Sequence, residues 1–241
     1  MPSPSSTSSS RARSLLVPAL ALVAVVALGL AAFAGTPGGG DDGSGPEGTA
    51  TDDARETGEA LARRDPDDPM AMGDVDAPVV MIEWSDFQCP FCASFALETM
   101  PTLVEEYVEA GVMRFEWRDF PVLGEDSVTA ALAGRAAAEQ DAFFEVHDEI
   151  FERDWERNVG DLSVESLTEL AGELGLDTER FAADMQDPEL LQAVQADRQL
   201  GQQLGFTGTP AFVVNGRSMI GGQPVDAFRQ LIEQAAEEAG A

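Results

Sequence analysis

"VVMIEWSDFQCPFC", residues 79–92, is the stretch on which the reading of this chain turns. Its first half is a near-continuous apolar run that ends in turn-forming residues. Such a run is expected to be a central β-strand covered on both faces. Its second half carries Cys89 and Cys92, the only two cysteines among 241 residues. A disulfide across so short a loop adds little stability, because the gain grows with the loop that is closed. Two thiols three residues apart, with none elsewhere, therefore point to chemistry rather than to a staple.

The position of Cys89 says which chemistry. It follows a strand and falls at the first turn of a predicted helix. Unpaired amides and the dipole at a helix N-terminus favour negative charge. A thiol there gives up its proton more readily and becomes a nucleophile. Cys92, one turn deeper, is expected to be shielded and close enough to resolve a mixed disulfide. Zinc takes four ligands as a rule, and the lone histidine, His147, belongs to a different predicted helix. Met70, Met72 and Met81 are too scattered for a copper site. No metal and no cofactor are expected.

Two further features converge on the pair. Glu83 stands at the end of the apolar run, where an acid is costly to bury. It lies six residues before Cys89. If buried, its pKa rises and it can take and return the proton of the shielded thiol; the alternative is a solvated residue at the strand end. "GTPAFVVNG", residues 208–216, places Pro210 directly before a strand. That suits a tight turn with either isomer, although most X-Pro bonds are trans.

Outward from these motifs, "VMRFEWRDF" at 112–120 alternates and reads as a second strand. A helix over about 89–109 is expected to kink at Pro101, which lacks the amide donor. Helices are predicted at about 125–139, 141–154, 163–174, 177–185 and 187–204. Strands at 211–215 and 217–221 are joined at Asn215-Gly216, a strong hairpin signal. A helix at 224–238 closes the chain. The folded domain is read as 66–241, an α/β sheet with a helical insertion at about 125–204. Phe87, Phe91 and Phe212 are read either as an apolar rim for unfolded clients or, for Phe87 and Phe212, as core. His147 is expected on the surface or half-buried.

The N-terminus carries an address. Residues 1–14 are rich in Ser and Pro with two arginines, and 15–34 are twenty apolar residues without a charge. That length can span a bilayer, and the flanking charges put 1–14 in the cytoplasm and the bulk of the chain outside. An uncleaved anchor is expected, with a signal peptide cleaved after Ala34 as the alternative. Residues 35–65 are polar and acidic and are read as a flexible linker. An exported domain works where disulfides persist.

Charge excludes other classes. The net charge is −30, and all fourteen basic residues are arginine. Nucleic acid binding depends on neutralising phosphate, so no nucleic acid partner is expected. The acidity reads mainly as a solvated surface.

Taken together, "VVMIEWSDFQCPFC", "RDFP" and "GTPAFVVNG" resemble the DsbA-like branch of the thioredoxin superfamily over about residues 66–239. The resemblance implies a thioredoxin-like fold with an inserted helical domain. It implies Cys89 as the attacking and Cys92 as the resolving cysteine, and Glu83 as the buried acid. It also implies a cis Pro210 that lies against the pair and helps hold the client; Thr209 and Phe91 beside it are read as further client contacts. It implies a monomer that donates its disulfide to reduced or unfolded secreted proteins and is reoxidised by a membrane partner of the DsbB or VKOR type. Phe91 departs from the best-known oxidases of that branch, which carry histidine there. Reductases and isomerases share the fold, as do binding or chaperone modules without catalysis. An intact CPFC beside an acid favours the enzyme.

Overall fold

A computed structural model of the protein describes residues 56–153 and 161–241. Five strands form one sheet in the order β1-β3-β2-β4-β5. They are β1 (Ala71–Met72), β2 (Val79–Ser85), β3 (Met113–Asp119), β4 (Ala211–Val214) and β5 (Arg217–Ile220). β2 and β3 run parallel, and the other neighbours pair antiparallel. Every residue of β2 is buried, as a strand covered on both faces must be. Its side chains divide by parity. Val79 and Met81 enter the larger core, whereas Val80, Ile82 and Trp84 enter a second core with Phe120, Phe206, Ala211 and Val213.

The helix after β2 is continuous over 90–108 but not uniform. It comprises α1 (Pro90–Ser94), a π-helical turn (Phe95–Thr99), α2 (Met100–Leu103) and a second π-helical turn (Val104–Val108). Pro101 was expected to kink a regular helix. It sits in the first turn of α2, between wide turns closed by the Met100 amide on the Phe95 carbonyl and the Glu109 amide on Val104. A π turn absorbs an awkward residue by changing the bonding register.

The helical insertion comprises α3 (Glu125–Ala138), α4 (Phe143–Glu152), α5 (Val164–Glu173), α6 (Thr178–Asp184) and α7 (Pro188–Gln203). Ser163, Asp177 and Asp187 cap the last three by accepting first-turn amides, as short polar side chains do at helix starts. α3 packs through small residues. A Cβ added to Gly134 would meet Phe143 at 3.1 Å and Phe87 at 3.3 Å. The chain then returns through the β4–β5 hairpin to α8 (Val225–Ala239). Asn215 and Gly216 both have positive φ, 43° and 85°, which is what a two-residue hairpin turn of the primed type requires.

Two differences from the sequence reading concern the domain edge. β1, a two-residue strand, was not expected; it exists through its pairing with Glu116 and Phe115 of β3. The linker was expected to reach residue 65, yet 56–61 are helical and Leu61 and Ala62 pack against the second core. The amides of Arg63 and Arg64 donate to the two carboxylate oxygens of Glu116, each at 2.9 Å. Glu116 is fully buried and also accepts from Arg114 Nε and Arg118 Nη2, so its charge is compensated on every side.

A dithiol at the end of the central strand

β2 delivers its last residue, Ser85, to a turn in which the Asp86 carbonyl accepts the Cys89 amide at 2.9 Å. Cys89 is the N-cap of α1, with extended backbone (φ −84°, ψ 117°), and Pro90 follows inside the first turn. Proline suits that position, because its missing amide is one that the helix leaves unpaired. Cys89 therefore precedes the first turn instead of lying within it. Its carbonyl accepts the amides of Cys92 and Ala93, both at 3.0 Å. Both cysteines are free thiols. Cys92 has no exposed surface and Cys89 only 6%, so in the dithiol form even the outer sulfur is largely covered.

Opposite the pair, the Thr209–Pro210 peptide bond is cis. The Cys89 thiol donates to the Thr209 carbonyl at 3.3 Å. The two sulfurs titrate in opposite directions. Cys89 is lowered to about 6, foremost by the hydrogen bond from the Cys92 thiol, with help from the Thr209 side chain and the amides of Cys92 and Phe91, against the effect of burial. Cys92 is pushed well up by burial, by its bond to Cys89 and by the charges of Cys89 and Glu83.

Glu83 is buried between β3 and β4, opposite Trp117 and Phe212 in the sheet register. It is not a solvated strand end. Burial pushes its carboxyl up to about 8, the nearby Ser85 hydroxyl opposes the rise, and the Cys89 charge adds to it. Its Oε2 has no hydrogen-bond partner. A carboxyl that holds its proton near neutral pH, beside sulfurs that gain and lose protons, is chemically suited to exchange with them.

Phe91 is 61% exposed, next to the pair. Phe87 and Phe212 are not rim residues. Phe87 packs on Trp117 and Phe151, and Phe212 on Phe95 and Phe228. His147, expected at or near the surface, is fully buried among Phe87, Trp117, Phe143 and Phe151. Burial lowers its pKa, and Nδ1 bonds Asp148 at 2.8 Å. It lies on the face of α4 that also buries Phe143, Val146, Ile150 and Phe151. A cavity of about 450 Å³ opens beside Cys89, lined also by Gln88, Phe91, Val122, Leu123 and Thr209. Val122 and Leu123 are not among the residues expected at the site from sequence; two adjacent apolar residues in "PVLGEDS" were the available signal. Among the described residues, no three His, Cys, Asp or Glu side chains gather as metal ligands would.

A CxxC pair capping the helix after the central strand, with an acidified outer thiol and a shielded inner one facing a cis-proline loop, defines a thiol–disulfide oxidoreductase with a thioredoxin-like fold. The comparisons give the family: a thioredoxin family model matches residues 65–234, and the chain belongs to that family, in its DsbA-like branch. It is 30% identical over 168 residues to a probable disulfide bond formation protein D of Bacillus anthracis, covering 68% of this chain and 76% of that one. It is 32% identical over 173 residues to the Na(+)/H(+) antiporter NhaA 3 of Salinispora tropica, covering 71% of this chain but 25% of that one. In fold it matches the crystal structure of oxidised BdbD from Bacillus subtilis, with TM-score 0.65, 23% identity, and coverage of 70% of this chain and 92% of that one.

Proposed function

We propose that the protein forms disulfides in secreted proteins outside the cytoplasm, with Cys89 as attacking sulfur, Cys92 as resolving sulfur and Glu83 as proton carrier. The observation that carries this reading is the placement of the two thiols, Cys89 at the helix N-cap against the cis-proline loop and Cys92 fully buried behind it, which favours the thiolate on Cys89 and the thiol on Cys92. Stabilising the Cys89 thiolate stabilises the reduced pair, and a stabilised reduced pair is an oxidant. Starting from the Cys89–Cys92 disulfide, a client thiolate attacks the Cys89 sulfur. The S–S bond breaks and Cys92 leaves as a thiolate that takes a proton, for which the Glu83 carboxyl is the donor in this reading. A second client thiolate attacks the client sulfur of the mixed disulfide, and Cys89 leaves as a thiolate. Two electrons pass from the client dithiol to the cysteine pair.

In this reading Phe91, Thr209 and Pro210 contact the client, and a membrane reoxidase of the DsbB or VKOR type restores the disulfide. The protein acts as a monomer. Its catalytic domain is 66–241, with the insertion at about 125–204. The apolar run at 15–34, which lies outside the described residues, anchors it with the catalytic domain outside the cytoplasm. No described helix is long and apolar enough to cross a membrane, so the anchor rests on sequence alone. Equilibration against glutathione buffers tests the direction of exchange. The expected result is a potential above that of the glutathione couple, together with oxidation of a reduced unfolded client. A potential below glutathione makes the protein a reductase.

A further inference from the structure

Beside the cysteine pair, the carboxylate of Asp86 joins two segments that are far apart in the chain. Asp86 is 2% exposed. Oδ1 accepts the Gln88 amide at 2.9 Å. Oδ2 accepts the amides of Val122 at 2.8 Å and Leu123 at 3.0 Å. A second tie runs from Gln88 Nε2 to Ser127 Oγ at 2.8 Å. Both joined segments line the cavity beside Cys89, Gln88 to Phe91 from one and Val122 with Leu123 from the other, together with the Thr207–Thr209 loop. Val122 and Leu123 keep 38% and 47% of their surface open, apolar side chains presented from a loop.

We infer that Asp86 is a positioning residue that fixes the spacing between Cys89 and the Val122–Leu123 rim, and that this rim selects apolar side chains adjacent to the reacting cysteine of a client. The inference rests on Cys89 being the reacting sulfur. A carboxylate suits the position because both oxygens accept and neither donates, and its charge strengthens each bond. An amide in its place offers one acceptor and turns a donor toward amides that also donate. Freed from Asp86, the loop must be ordered when a client binds, and that cost appears in binding. The groups that acidify Cys89 are Cys92, Thr209 and the first amides of α1, so the sulfur chemistry is left in place.

The test uses the full chain, with glutathione disulfide as the terminal oxidant that restores the Cys89–Cys92 disulfide, and two reduced dithiol peptides, one with leucine beside the cysteine and one with serine there, with dithiothreitol as a small dithiol that needs no rim. Asp86→Asn is expected to raise KM for the leucine peptide about tenfold, the worth of roughly one such hydrogen bond. The preference for leucine over serine shrinks, while kcat and the dithiothreitol rate stay within about twofold and the Cys89 pKa does not move. Leu123→Ser, with Asp86 intact, shrinks the same preference. In the wild type the Val122 and Leu123 amides are protected from hydrogen exchange. Equal loss of the peptide and dithiothreitol reactions overturns the inference, as do an unchanged preference in Leu123→Ser and free exchange of those amides. If Asp86→Asn does not fold, the exchange and Leu123→Ser results decide. A wild type that does not oxidise dithiothreitol refutes the oxidoreductase reading instead.

Discussion

The Cys89 thiol donates to the carbonyl of Thr209 at 3.3 Å, across 120 residues of chain. One partner caps the helix after the central strand. The other belongs to the loop where the chain re-enters the sheet after the helical insertion. The sulfur is thus held between the two halves of the sheet, and its acidity depends on both.

Replacing Thr209 with Val removes the hydroxyl and keeps the carbonyl. Since that side chain helps lower the Cys89 pKa, the pKa is expected to rise by about half a unit, which makes the pair less oxidising by about 15 mV. Thiolate absorbance and glutathione equilibration measure the two quantities. A shift in neither means that Cys92 and the helix amides set the acidity alone.

Alkylation separates the two sulfurs. Cys89 is lowered to about 6, so labelling of the reduced protein should be slow below pH 6, rise through it and level off above, with Cys89 modified first. Offered an oxidised client, Cys92→Ser should accumulate mixed disulfides, because the Cys89 thiolate opens the client disulfide and no Cys92 thiolate is left to release it. Cys89→Ser should accumulate none. Faster labelling of Cys92 reverses the assignment.

Glu83→Gln keeps the shape and removes the titration. The wild-type carboxyl holds its proton up to about 8 when folded, against an ordinary value of 4.5. A raised carboxyl favours the folded state while protonated, so the wild type loses stability as pH climbs from about 4.5 to 8. The variant escapes that loss. Its melting temperature should match the wild type at pH 4 and exceed it at pH 9, while thiol exchange near neutrality slows about tenfold or more. Parallel melting curves, or equal exchange rates, refute the role.

Phe91→His tests the neighbour of the resolving cysteine. An imidazolium beside the Cys89 thiolate stabilises it. The Cys89 pKa should fall, and the potential should rise by about 30 mV for each unit of the fall. If neither moves, backbone amides dominate, and residue 91 serves as a client contact.

Much of this was legible in the sequence because it is local. The predicted helices of the insertion agree with the observed ones to within about two residues at each end, since caps at Ser163, Asp177 and Asp187 mark their starts. Asn215-Gly216 gave its hairpin, and the apolar run at 79–85 its two-sided strand. What escaped depends on distant partners. β1 exists only against β3, and nothing periodic marks two residues. Asp86 reaches amides 36 and 37 positions away. His147 was expected on the surface or half-buried, although its spacing to Phe143, Val146 and Ile150 places it on the buried face. Phe87 and Phe212 flank the motifs in sequence but face the core. The buried charges of β3 conceal that residues 63 and 64 already belong to the fold.

That attachment at Glu116 has a mechanical side. A pull on the chain from upstream of residue 56 enters the domain through the helical turn at 56–61 and the amides of Arg63 and Arg64. The load is taken up in the middle of β3, where Glu116 pairs with Ile82 of β2 and is braced by two guanidinium groups. Peeling the strap away would leave a buried carboxylate short of two donors, so it gives way reluctantly. The bonds that hold Cys89, to Asp86, Cys92, Ala93 and Thr209, are separate from those of this strap.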